Sequence, residues 1–573
     1  MPYMQTMDRN QMMMCTMDSF VDQESIVRVI DIFVESLDLD EMEFARTEAA
    51  NEGRPLYPPK GLLKLYIYGN RKGIRSSRKL AEECRINVEA RWLMEGLEPD
   101  HRTISDFRKE NIGSMKKVFH EFNSRLFEVL VSGFVSVDGS KFQACCAKDR
   151  NFTAGKLDDR IKWLNQHVEE YLRQLDEADQ MEGEQEELAG RFTLEELETK
   201  LAEARERLER YEGYREYMEK NGLSQLSITD PDAKLMKNKN GFAVSYNVQT
   251  TVDSETHLIR DYKITNQPTD HGLIEPAVHD IKEESPQEVL EAVADKGYMQ
   301  EEDMVECLEN GVIPHVILPD GQDVYELETA YEAAEIDEET KNSRKADDIR
   351  KCMKSGEIPE AYAEVIEKAE VVEKREFIKD DANEAEEKET PYGSEEEMAE
   401  RAAQGYYVRD PERNMVICPA GEILRQKSIK KNGNIRYANK TACRNCPHRD
   451  KCYKGKAEWK EIDFNKDTLE KPCKPWLEAE GREDDSIKQK KQGHYETKKV
   501  VKLTFRPDRQ KMDQRKCLSE HPFGTVKRWM NAGYYLLKGI QKTDGETAII
   551  FLGYNLARAI NLLGFRKMMK IMA

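Results

Sequence analysis

The chain has 573 residues, of which 35% are charged, and a formal net charge of −21. That length provides for three or four folding units with ample apolar material, and no run of 18 uncharged apolar residues is present to span a membrane. The net acidity does not exclude nucleic acid: residues 321–400 carry 27 acids and 11 bases, a net of −16, but residues 424–573 carry 35 bases and 17 acids, a net of +18. A polyanion would meet the second stretch rather than the average.

The Met-rich start, MPYMQTMDRNQMMMC, has neither a basic n-region nor an apolar h-region, so it is not expected to be a signal peptide. Twelve unevenly spaced Cys in so charged a chain point to a reducing cytosol, with thiols free or metal-bound. Residues 1–130 read as a helical N-terminal domain. PPKGLLKLYIYGNRKG, SSRKLAEECR and NVEARWLMEG are short helices, and a longer one is expected from Thr103, with Thr103 and Asp106 as a capping box. Arg71, Lys72, Arg75, Arg78 and Lys79 cluster at a turn, as in a helix-turn-helix-like DNA reader; the alternative is a helical bundle with a wet basic face.

The catalytic core is expected over 131–320. FVSVD, GFAVSYNVQTTVD (241–253) and HLIRDYKITN (257–266) read as strands, residues 270–283 as a helix, EVLEAVA as a strand, EEDMVECLEN as a helix and VIPHVILP as a strand. Three strands joined by turns and followed by βαβ units is the layout of a ribonuclease-H-like mixed sheet, an α/β fold. An insertion at 150–228 interrupts it. There Ile161, Leu164, Val168 and Leu175, then Leu194, Leu197, Leu201, Ala204, Leu208 and Tyr211 recur at three and four, with a polar break near 181–190, which predicts an antiparallel helical hairpin.

Asp138 ends the first strand, Asp295 ends EVLEAVA, and Glu520 opens an amphipathic stretch reading as a helix. Carboxylates gathered in this way need cations between them, and paired divalent ions are the usual apparatus for in-line attack on a phosphodiester. Residues 321–410 are acidic and poor in aromatics, so they read as a linker or helical insertion. Within 411–500, Cys418, Cys443, Cys446 and Cys452 have the C-x-x-C spacing and reach of a tetrahedral Zn²⁺ site, structural rather than catalytic, with His448 a possible substitute. The other eight Cys, Cys473 among them, show no ligand spacing. Residues 501–573 read as the closing core helices.

These motifs together resemble the DDE transposases of bacterial insertion sequences, of the insertion-sequence 1182 type. LYPPKGLLKLYIYGNRKGIRSSRKLAEEC and PDHRTISDFR are similar to that family's N-terminal domain. VDGSKF, TDPDAKLMKNKNGFAVSYNVQTTVD, ADKGY, RKCLSEHPFGTVKRW and GETAIIFLGYNLARAINLL follow in the family's order. The resemblance implies a catalytic triad of Asp138, Asp295 and Glu520 holding Mg²⁺ or Mn²⁺, with Arg515 and Lys527 as DNA-binding bases. It implies double-stranded DNA, both element ends and target, as substrate, a homodimer in the active complex, no nucleotide cofactor, and action at the nucleoid of the bacterial cytoplasm. The family's tyrosine upstream of the arginine has no equivalent; Met512 stands near that place. Two rival readings are a metal-dependent nuclease on the same fold that does not join DNA, and a catalytically silent, transposase-derived DNA-binding protein.

Overall fold

The computed structural model describes residues 10–573 apart from 11, 13, 48–54, 131–132, 181–193, 239–240, 285–288, 319–321, 380–394, 412, 431–433, 453–458, 466–467 and 483–492. The chain forms two units, Met1–Val372 with Lys499–Ala573, and Glu373–Lys498.

Six helices open the first unit: α1 (Ile26–Ser36), α2 (Pro59–Arg71), α3 (Ser77–Ile86), α4 (Val88–Leu93), α5 (His101–Asn111) and α6 (Met115–Phe127). Their starts follow local chemistry: Ser25 and Asn87 cap α1 and α4, and Pro59 opens α2. The long helix expected from Thr103 is two helices that begin earlier. Asp100, held extended after Pro99, accepts from the Thr103 N–H at 2.7 Å, so Thr103 is capped rather than capping. A 3-10 turn at Ile112–Ser114, around Gly113, then separates α5 from α6.

β1 (Val135–Gln143) begins the core. β2 (Asn151–Thr153) pairs antiparallel with β3 (Gln225–Ser227) at the base of two long helices, α7 (Ala154–Gln180) and α8 (Leu194–Lys220), which pack on each other. Leu164, Leu197, Leu201 and Ala204 of the expected stripe are buried, and the expected break at 181–190 lies outside the described residues. The sheet follows with β4 (Lys234–Asn238), β5 (Gly241–Asp253), β6 (Ile259–Thr265), α9 (Ile274–Glu284), β7 (Leu290–Ala294), α10 (Glu301–Glu309) and β8 (Val312–Val316). Its order is β4-β5-β1-β7-β8, with β6 also on β5. β1 runs antiparallel to β5, and β7 runs parallel to both β1 and β8, so the sheet is mixed. All five β8 residues are buried, which suits its largely apolar sequence, and the one polar side chain among them, His315, meets Glu291 of β7 at 3.0 Å. β4 was not anticipated, because KLMKN is a short polar segment and β4 lies at the sheet's edge.

Within the expected 321–410 linker or helical insertion, residues 325–366 belong to the first unit's core. β9 (Tyr325–Ala330), α11 (Glu338–Asn342), α12 (Ala346–Ser355) and the start of β10 (Ile366–Lys379) place Tyr325, Leu327, Ile349, Met353, Tyr362 and Ile366 in one core with β1, β7, β8, α9 and α10. The acids hide this from a compositional reading: in YELETA the buried Tyr325, Leu327 and Thr329 alternate with the exposed Glu326 and the half-buried Glu328.

The second unit carries α13 (Glu395–Ala403), β11 (Tyr406–Asp410), β12 (Met415–Ile417), β13 (Ile423–Ile429), β14 (Ile435–Ala438), α14 (Lys440–Arg444), α15 (Arg449–Cys452), β15 (Glu461–Phe464), β16 (Glu470–Pro472) and α16 (Lys474–Glu480). Its strands form one antiparallel sheet, β15-β14-β13-β12-β11-β16, around a small core that includes Tyr407, Leu424, Tyr437, Phe464 and Trp476. β17 (Gly493–Phe505) returns the chain to the first unit, where Val500–Phe505 pair with β9. Three helices close it: α17 (Arg509–Gly524), α18 (Ile540–Leu563) and α19 (Phe565–Met572). α18 packs on α2 and α6 and is buried along most of its length.

Candidate active site

The parallel register of β1 and β7 decides where two of the acids go. Val135 pairs with Ala292 and Ser136 with Val293, so continuing two residues sets Asp138 level with Asp295. Asp295 leaves the sheet at the C-terminal end of β7, the edge at which open α/β sheets bind ligands. β1, expected to end at Asp138, runs on to Gln143 because it stays paired with β5, so Asp138 lies within the strand, just past the residues paired with β7.

α17 lies against β1, β5, β7 and β8. Its Arg515, only 9% exposed, extends between the two aspartates: Nη1 is 3.9 Å from Asp138 Oδ1 and Nη2 is 3.8 Å from Asp295 Oδ2. Arg515 Nε is buried without a hydrogen-bond partner. One helical turn on, Ser519 is fully buried and donates to the Arg515 carbonyl at 2.9 Å. Burial pushes the Asp138 carboxyl up to about 6. The Arg515 guanidinium, the Gly139 N–H at 3.0 Å and the Ser519 hydroxyl pull it down, while the charge of Asp270 pushes it up. Asp295 is half exposed and accepts from the Lys296 N–H at 2.8 Å.

Glu520 follows Ser519 on α17 and is exposed. It was expected to open its helix, but α17 begins at Arg509, capped by Asp508, so Glu520 stands near the helix's C-terminal end. The structure thus joins Asp138 and Asp295 through one guanidinium and sets Glu520 on the helix that carries it. Among the described residues, no group of three or more His, Cys, Asp or Glu is drawn together so that it could hold a metal ion.

Lys527 lies in a π turn, Thr525–Trp529, that follows α17; Pro522, with no N–H to donate, stands inside the last turn of that helix. Its ammonium donates to Ser140 Oγ at 2.6 Å and to the Lys141 carbonyl at 2.8 Å, and sits 4.5 Å over the Phe142 ring. It therefore fastens the segment after α17 to the strand bearing Asp138. Arg75, from the basic N-terminal cluster, is also internal. It is buried, forms an ion pair with Glu546 and donates to the Asn531 carbonyl at 3.1 Å. Glu546 in turn accepts the N–H groups of Leu536 and Leu537, so it is committed to joining α18 to the helical domain.

In the second unit Cys418, Cys443, Cys446 and Cys452 line one cavity together with Tyr407 and Lys460. Burial raises the Cys418 thiol. Cys473, read from its spacing as a plain thiol, belongs to this cluster: the Tyr407 hydroxyl lies 2.8 Å from Cys452 Sγ and 3.6 Å from Cys473 Sγ. A hydrogen bond with Cys452 pulls Cys473 down to about 6 and pushes Cys452 up. Spacing could not reveal Cys473, because it stands 21 residues past Cys452 and reaches it only through the fold.

Two family models match the chain. One, described as a transposase DDE domain, covers residues 223–556, and the other, described as a transposase domain (DUF772), covers residues 16–110. The first spans more than half of the sequence and includes Asp295 and Glu520, while Asp138 precedes it. No curated protein and no solved structure matches.

Proposed function

The chain belongs to the DDE transposases, metal-dependent enzymes that cut and transfer DNA, and we propose that Asp138, Asp295 and Glu520 are the carboxylates on which that chemistry runs. The observation that carries this reading is the β1–β7 register, which sets two of the three acids side by side under a helix bearing the third. The donor set suits a hard cation. Asp138 is a mostly buried carboxylate whose nearest positive charge stands almost 4 Å away, and Asp295 shares it. Divalent ions, when bound, would lower the pKa of an attacking water and stabilise the leaving 3′-oxygen.

The residues supply the remaining requirements. Asp138, rigid in β1 and hydrogen-bonded to the next backbone N–H, fixes one end of the site. Asp295, at a strand end, and Glu520, on the exposed side of α17, complete it from two sides. Arg515 balances the two aspartates, and with Lys527 it is the base we set nearest the scissile strand. Hydrolysis would free a 3′-OH at the element's end, and that hydroxyl would attack target DNA in the same site. A homodimer would hold two ends together, and the helical domain would read them. In the second unit, Cys418, Cys443, Cys446 and Cys452, which line one cavity but are not drawn together as a metal-holding group, would close on a structural Zn²⁺ when it binds.

A strand-transfer assay with Mg²⁺ and DNA bearing the element's ends tests the reading. Single Asp138→Ala, Asp295→Ala and Glu520→Ala changes should each abolish cleavage and joining by several orders of magnitude while end binding persists. Cut but unjoined product from the unaltered protein would favour a simple nuclease, and bound DNA alone a silent binder. A Glu520→Ala protein joining at a near-normal rate would overturn its assignment.

A further inference from the structure

We propose that Asp270 is a positioning residue of the active site: it braces the strand of Asp138 against the turn that follows Asp295. This deepens the catalytic reading above and rests on it.

The Asp270 carboxylate is available because it does not cap a helix. A helix over 270–283 was expected, but α9 begins at Ile274, after Gly272 takes a left-handed φ of +69°. Asp303 of α10 caps α9 instead, accepting from the Ile274 and Glu275 N–H groups at 3.1 Å each. That leaves Asp270 to turn toward the sheet. Its Oδ1 accepts from Lys141 Nζ at 3.1 Å, Asn247 Nδ2 at 2.6 Å and Gln249 Nε2 at 2.9 Å. Those three donors stand on β1 and β5, in register across the ladder beside Asp138: Lys141 pairs with Asn247, and Gly139 with Gln249.

The carboxylate also closes on the backbone next to Asp138. A Cβ on Gly139 would stand 2.7 Å from Asp270 Oδ1 and 2.5 Å from Gln249 Nε2, so only glycine fits there without displacing the brace. From the other side, the Tyr298 hydroxyl donates to Gln249 Oε1, the Gly272 N–H to the Tyr298 carbonyl at 3.5 Å, and His271 Nδ1 lies 3.1 Å from the Met299 carbonyl. Tyr298 and Met299 belong to the turn just after Asp295. One loop, 267–272, therefore touches the strand of the first aspartate and the turn of the second. It thereby fixes their separation. The Lys141–Asp270 ion pair is partly buried, with side chains 14% and 29% exposed, so its geometry is held more firmly than that of a surface pair.

The experiment compares Asp270→Ala, Asp270→Asn and Lys141→Met with unaltered protein and with Asp138→Ala, in cleavage of end DNA across a Mg²⁺ series. Fold is checked by near-ultraviolet circular dichroism. Asp270→Ala should cut about 100-fold more slowly, the loss expected for an ångström-scale misplacement, with end binding unchanged and the half-saturating Mg²⁺ concentration raised several-fold. Asp270→Asn keeps an acceptor for Asn247 and Gln249 but not the ion pair, so it should fall between, as should Lys141→Met. If Asp270→Ala fails to fold, the Asn and Met variants carry the same comparison. Cleavage within about threefold of normal and an unchanged Mg²⁺ requirement in these variants, beside an inactive Asp138→Ala, would overturn the brace alone. Activity persisting in Asp138→Ala would overturn the catalytic reading beneath it.

Discussion

Asp138 concentrates the conflict between stability and function in one side chain. Burial raises its carboxyl from 3.8 to about 6, so without metal the folded state holds a proton more tightly than the unfolded chain. The sign follows from linkage: the folded state's advantage is complete below about pH 4 and is lost as pH rises through about 6. Above that, the protein carries a charged, poorly paired carboxylate. Asp138→Asn should therefore be more stable than unaltered protein at pH 7 by roughly 1–3 kcal/mol, toward the low end because the side chain keeps some water, and equal to it near pH 4. Chemical denaturation at the two pH values checks this; equal stability at pH 7 would mean that Arg515 already neutralises the carboxylate. Protons and metal compete for the same oxygens, so DNA cleavage should also decline below about pH 6 at fixed Mg²⁺, and added Mg²⁺ should partly restore it.

At the scale of elements, α18 shows how tightly the helical domain and core are joined. A Cβ on Gly545 would lie 1.8 Å from the Ile112 carbonyl oxygen, backbone against helix, with no flexible side chain to yield. Gly545→Ala should destabilise the first unit by about 3 kcal/mol or more, at or beyond the upper range for overpacking, and lower its melting temperature; an unchanged melting curve would show that the two backbones can part. This contact was illegible in the sequence, as was the buried Arg75–Glu546 pair, since a residue's type does not tell which arginine of a basic cluster turns inward. The sheet itself was legible. β5 and β6 show strand patterning ended by polar turns, and β7 and β8 are short, mostly apolar runs with α10 between them. What alternation could not give was anything set by distant partners. Asp303 moved the start of α9 by four residues from the expected helix, and that freed Asp270 for β1 and β5. Of the proposed triad, Asp295 was legible as a strand end, but Asp138, read the same way, lies within β1, whose continuation to Gln143 is set by pairing with the distant β5. The position of Glu520 depends on how α17 is rotated about its axis, which a helix with little amphipathic bias leaves open.

At the scale of the whole molecule, two units with separate cores predict two separable transitions. The second unit holds few large apolar side chains, and Cys418, Cys443 and Cys452 pack directly against them. A core this small ordinarily needs a staple, and bound Zn²⁺ contributes folding free energy only to the state that assembles its ligands. Purified protein should therefore contain about one Zn²⁺ per chain, as four thiolates closing one tetrahedral site require. Cys446→Ser should lose that metal and lower or abolish the transition of residues 373–498, leaving hydrogen-exchange protection of β1, β5 and β7 in the first unit as it was. Cys473→Ser discriminates further: it should retain the metal if Cys452 is the fourth ligand and release it if Cys473 is, because the two sulfurs share a hydrogen bond and one Tyr407 hydroxyl. Metal analysis and calorimetry of the two variants decide the ligand set, and protein free of zinc that melts identically with and without chelator would reject a zinc site altogether.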